Sequence, residues 1–213
     1  MSAVSSVSRH LVSVFLGGGQ ELLASVPGQE ELQCSLVEAL MSLITFYTEA
    51  SVQGGRPLLD DVREVLRLLL HVVQRSRRLL MLSLEMFMDL SELPNGHPMS
   101  SVCRQDVFPI LLQLLLTSLR FPVSSDQWIV NDLMEEKEDF DALRDTRLGI
   151  VEAIAACLAV LGPQSFLSVL GAVAGSDQGM DWRDVEVVLF VLSCSMQVCT
   201  YYYHVVFFDL CNL

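Results

Sequence analysis

The chain has 213 residues, 52% of them apolar and 18% charged, with 26 acidic against 13 basic side chains and a formal net charge of −13. That apolar content excludes a disordered chain and suffices for a buried core of about one or two domains. The charge excludes a nucleic-acid backbone binder, which needs clustered Lys and Arg, and favours basic proteins as partners.

Residues 3–26 read as a helix weakened at Gly17-Gly18-Gly19, and Pro27-Gly28 separates it from a second helix over 30–50. Arg9 and His10 interrupt the short apolar run at the N-terminus, so it does not make a secretory signal. Over 58–73, Leu58, Val62, Val65, Leu66, Leu69, Val72 and Val73 share one face, while Asp60, Asp61, Arg63 and Glu64 fall elsewhere; the pattern is that of an amphipathic helix. Helices follow over 77–93 and 102–121, separated by the turn-rich "PNGHPMS". Pro109 falls in the first turns of the latter, where proline bends a helix rather than ending it.

An acidic loop near 122–138 leads into a helix over 139–162, in which Phe140, Leu143, Ile150, Val151, Ile154 and Leu158 recur with helical spacing up to Gly162-Pro163. "PQSFLSVLGAVAG" is its short partner. A last helix opens at "DWRDVEVVLF", residues 181–190. Asp181 is placed to accept from the free N–H groups of the first turn, and Asp184 and Glu186 face the positive end of the macrodipole. Val185, Val188, Leu189 and Leu192 make an apolar face, and Trp182 is expected to pack in the core with Val185 and Leu189 beneath it. Alternating β-branched runs bounded by hairpin turns do not occur, so the predicted fold class is all-α.

Chemistry-bearing residues are sparse. Cys34, Cys103, Cys157, Cys194, Cys199 and Cys211 form no CxxC pair and mostly sit within apolar helical patterns, which reads as buried free thiols in a reducing setting. His10, His71, His97 and His204 lie far apart without HExxH or Cys/His spacing, so neither a metal nor another cofactor is expected. Gly17-Gly18-Gly19-Gln20 lacks the GK[ST] ending and preceding strand of a phosphate loop. No catalytic constellation emerges, and an enzyme is not expected.

The strongest charge signal lies between Asp132 and Asp145, with seven acids against Lys137 and Arg144. It reads either as solvated charge aided by a helix dipole, or as a docking surface for a basic partner through Glu135, Glu136, Glu138, Asp139 and Asp141.

Taken in pairs, the first helices begin near 30, 77, 139 and 181, spacings that bracket two-helix HEAT or armadillo units once a long insertion is allowed. The predicted architecture is an α-solenoid of about four stacked helix pairs over 1–198 followed by a divergent apolar tail, 199–213, with an irregular helical bundle as the alternative.

Four stretches carry a resemblance: "LSLEMFMDLSE" (82–92), "VFPILLQLLLTSL" (107–119), "EEKEDFDALRDTR" (135–147) and "DWRDVEVVLF". In this order they resemble the middle part of nuclear transport receptors of the importin-β (karyopherin) superfamily, closest to the transportin-SR and importin-13 branch. Phe140 and Arg144 match that branch's "DF..(F/L)R", and Trp182, Glu186, Leu189 and Phe190 match its Trp-helix; Gly149 departs, standing where the family often has an acid. The similarity covers roughly residues 30–198.

The resemblance implies a curved HEAT scaffold that carries protein cargo between cytoplasm and nucleus under control of the small GTPase Ran. Basic or arginine-rich cargo and a Ran-type GTPase are then the expected partners. Family receptors are several times longer, and the arch that chiefly grips Ran lies outside the matched stretch. An alternative rests on residues 187–208, uncharged and long enough to cross a bilayer: a membrane-associated helical protein. Against it stand Ser193, Ser195, Gln197, Thr200 and His204, and no Lys or Arg follows.

Overall fold

In the computed structural model, the backbone is described for residues 29–54, 56–94, 96–122, 134–145, 149–174 and 181–211. Side chains are described for the same residues except 29–30, 51–58, 134–136 and 198–211. The helix expected over 3–26, with His10 and the glycine run, lies outside them, as do the side chains of Leu58, Glu135, Glu136, Cys199, His204 and Cys211.

The described residues form α1 (Gln29–Gly54), α2 (Arg56–Val73), α3 (Arg77–Ser91), α4 (Pro98–Val102), a π-turn (Cys103–Val107), α5 (Phe108–Leu119), α6 (Met134–Arg144), α7 (Ile150–Leu161), α8 (Pro163–Ala174) and α9 (Trp182–Cys211). No strand occurs among them, and the fold class is all-α.

The helices group into two compact units, Met1–Val107 and Phe108–Leu213. In the first, α1 packs along α2 and also meets α3 and α4. The face expected on α2 is the buried one: Val62, Val65, Leu66, Leu69, Val72 and Val73 are sealed from solvent, the charged residues lying outside this line. Val37, Leu40, Ile44 and Tyr47 face them from α1, and Leu80, Leu84 and Phe87 from α3. His97 caps α4 by accepting the Met99 amide at Nδ1, 3.1 Å away, and Pro98 takes the first helical position, where its missing N–H costs nothing.

Between α4 and α5 the chain widens into the π-turn just before Pro109. A proline has no N–H to donate and its ring crowds the carbonyl four residues back, and an extra residue in the turn relieves both. The bend expected from Pro109 therefore takes the form of a π-turn. Pro98–Leu119 is a run long and apolar enough to cross a bilayer, with mean hydropathy 1.3, yet half of it is buried within the protein.

In the second unit, α7 packs against α5, α8 and α9, while α6 rests on α5. The core comprises Phe108, Leu111, Leu112, Leu115 and Leu119 of α5, Phe140 and Leu143 of α6, Ile150, Ala153, Ile154 and Cys157 of α7, and Val187, Val191 and Cys194 of α9. The single helix expected over 139–162 is corrected to two, α6 and α7. Gly149 sits at φ 87°, a left-handed conformation that suits glycine, and it stands at the N-cap where α7 starts afresh. Of the acidic loop expected near 122–138, residues 123–133 lie outside the described ones, and from Met134 onward the acids ride on α6.

Cys103, Cys157 and Cys194 are buried, as expected, and Cys34 is partly exposed. Burial pushes the Cys103 thiol up to about 11 and raises those of Cys157 and Cys194 too, because a thiolate there would lose its hydration. At pH 8 a disulfide-exchange reagent is expected to modify Cys34 while leaving Cys103 and Cys157 untouched until the chain unfolds. Peptide mapping reads this directly, and labelling of Cys157 in the folded protein as fast as Cys34 would contradict the placement.

Candidate functional site

The N-terminus of α9 is fixed before any partner arrives. Asp181 accepts the Arg183 amide at 3.0 Å, the cap expected from its position ahead of an apolar periodicity. That bond, then the charges of Arg183 and Arg120, hold the Asp181 carboxyl below the usual carboxylate range. Arg120, just beyond the end of α5, donates to Asp181 at 2.7 Å and grips both oxygens of Asp184. Asp184 is the main reason the Arg120 guanidinium holds its proton more firmly than usual.

One turn along, a second arginine does the same work from α6. Arg144 forks onto both carboxylate oxygens of Glu186, one contact at 2.9 Å, and donates to the Leu119 carbonyl at 2.7 Å, meeting a C-terminal acceptor of α5 that has no partner within its own helix. Its guanidinium carbon lies 4.1 Å from the ring centre of Phe190, 4.8 Å from Phe121 and 5.4 Å from Phe140. A planar, weakly hydrated cation suits such a site, since it stacks on rings while its edge donates to a carboxylate. Arg144 thereby ties α5, α6 and α9 together.

Four of the six residues named by the family resemblance, Phe140, Arg144, Glu186 and Phe190, meet in this cluster. The other two do not join the core. Trp182 is 55% exposed and Leu189 is 60% exposed, so the expected burial of the tryptophan over Val185 and Leu189 is corrected. The ring instead lies against Phe121, centroids 5.7 Å apart, with the Arg183 guanidinium 5.6 Å from its centre. The reason is the roll of the helix: with Asp184 and Glu186 clamped, Val187, Val191 and Cys194 turn inward and Trp182 turns out. Trp182→Ala is accordingly expected to cost about 0.5–1.5 kcal/mol, the worth of a peripheral aromatic pair. A loss above about 3 kcal/mol in urea melts, the range of a buried aromatic, would restore the core placement.

Arg120 and Phe121 are the members that sequence reasoning missed. Their signal was a lone Arg-Phe-Pro at the end of a long apolar helix, where a cation suits the last carbonyls.

The acids proposed for docking fall on α6. Glu138 and Asp141 are exposed and Asp139 is partly so; Lys137 pairs with Asp141 at 2.6 Å, which leaves Glu138 and Asp139 with the less compensated charge. His71 bonds Gln74 at 2.8 Å, and no group of three His, Cys, Asp or Glu able to hold a metal occurs among the described residues. What the site can do chemically is present fixed negative charge and an exposed indole beside a rigid cation–aromatic cluster. No protein-family model, curated protein or solved structure matches the chain.

Proposed function

We propose that the chain is a protein-binding scaffold of the importin-β type, with helix pairs stacked as a HEAT-like solenoid, which recognises basic or arginine-rich protein segments and performs no bond chemistry. It works between cytoplasm and nucleus, with a Ran-type GTPase as the partner that would control cargo exchange. The supporting observation is the Arg144 cluster. The resemblance picked Phe140 and Arg144 from one stretch and Glu186 and Phe190 from another, and their side chains form one contact group. Residues matched by chance need not meet.

The acids of α6 are the docking surface in this reading, through Glu138, Asp139 and Asp141, with Glu135 and Glu136 adding charge earlier in the same helix. Exposed pairs are weak singly and screened by salt, so several must act together. A fluorescein-labelled arginine-rich peptide is expected to bind at low salt and to weaken as salt rises. Replacing Glu135 and Glu136 by Gln, Glu138 by Gln and Asp139 by Asn should reduce affinity by about tenfold or more with helicity unchanged. Affinity indifferent to salt, or equal in the variant, sinks the assignment.

A further inference from the structure

We propose that the outward face of α1 is a second docking surface, one that takes a basic amphipathic helix from another protein. It stands apart from the transport-receptor reading, because every residue involved lies on α1. Val37, Leu40, Ile44 and Tyr47 occupy the buried arc of this helix. Beside that arc runs an apolar line that none of the described residues covers: Leu32 is 55% exposed, Phe46 is 52% exposed, and exposed Ala39 lies midway between them. Seven residues are two turns less about 20°, so the three line up over about 21 Å. Leu36 and Leu43, half-buried, join the line to the core. Phe46 is steadied by an edge-on contact with buried Tyr47, ring centres 5.8 Å apart, so it offers a ring already held in place.

Single exposed apolar residues are ordinary, but a continuous line along one helix is the geometry that a partner helix covers. Its charge says which kind. Glu31, Glu38 and Glu49 form a row along one side of the apolar line, all exposed, and none takes part in an ion pair among the described residues. The 26 residues of α1 contain no Lys, Arg or His. A helix laid on the line with Lys or Arg along the matching edge neutralises the row, whereas one with Glu there is repelled. A second copy of this chain is disfavoured on the same ground: its α1 would bring acids toward acids, and each chain carries a net charge of −13. The comparable line on α9, Trp182, Leu189 and Met196, has no such uncompensated row, since Asp184 and Glu186 are already paired.

The test is fluorescence anisotropy with a labelled helical peptide that carries Leu at three- and four-residue spacing and Lys along one edge, against the same peptide with Glu for Lys. The Lys peptide should bind the full chain and the Glu peptide should not. Phe46→Ser and, separately, Leu32→Ser should each weaken it by about tenfold, the effect of removing an anchoring side chain. Glu31→Gln, Glu38→Gln and Glu49→Gln together should weaken it about fivefold and flatten its salt dependence. These positions are exposed, so circular dichroism should not change. Neutralising Glu138 and Asp139 of α6 should leave this affinity as it was, which separates failure here from failure of the α6 reading. Equal binding by Phe46→Ser and wild type, equal binding of the Glu peptide, or no binding of either peptide would overturn the proposal. So would a dimer in sedimentation that Phe46→Ser dissolves, which would assign the face to self-association.

Discussion

Phe140→Ala is expected to lower the stability of the second unit by about 3–5 kcal/mol, the range for emptying a buried aromatic site. The side chain is 1% exposed and its ring lies 4.9 Å from Phe121, so truncation leaves a cavity where α6 rests on α5. It also removes one of the three rings around Arg144, so the guanidinium loses a stacking surface together with the core loss. Urea melts followed by circular dichroism read the change. A loss below about 1 kcal/mol would mean the site collapses freely and that α6 is not anchored through this ring.

Arg144→Met is the second large effect, expected at about 2–4 kcal/mol. The value lies between the 0–1 kcal/mol of exposed ion pairs and the 3–5 kcal/mol for stripping one partner from a buried pair. The Arg144 side chain is 14% exposed and that of Glu186 is 31% exposed, so water partly relieves the carboxylate left behind. The Leu119 carbonyl loses its donor as well. Arg144→Lys should recover little, because an ammonium neither forks onto Glu186 nor stacks among three rings. A double-mutant cycle with Glu186→Gln should return a coupling above about 1 kcal/mol. Strict additivity would mean that the pair contributes nothing beyond its separate packing.

The contrast between α2 and α9 explains how much the sequence could reveal. On α2, apolar spacing alone placed Val62, Val65, Leu66, Leu69, Val72 and Val73 inward, and the contacts of Arg63 and Arg67 with Asp106 do not pull the helix away from that roll. On α9 the same reasoning chose the wrong arc. From Val187 to Leu192 every residue is apolar, so the periodicity scarcely favours one roll, and two salt-bridged acids decide it. Those contacts reach back 64 and 42 residues, beyond any local pattern. The break between α6 and α7 was hidden for a related reason. One glycine inside an apolar helical run costs only about 1 kcal/mol, so Gly149 read as tolerated until its positive φ was seen. Arg144 and Glu186 were legible only through resemblance, since nothing local says that one meets the other. The acids of α6 were plain from composition, though their helical setting was not.

Cargo transfer is the most direct test of the scaffold reading. A fluorescent reporter too large to diffuse through nuclear pores, bearing an arginine-rich segment, is added to permeabilised cells with the purified chain and a Ran-type GTPase. The account predicts that nuclear accumulation of the reporter rises with the chain present and falls back when Glu135, Glu136, Glu138 and Asp139 are neutralised. Reporter distribution that is the same with and without the chain, alongside no detectable complex between chain and reporter, would contradict it.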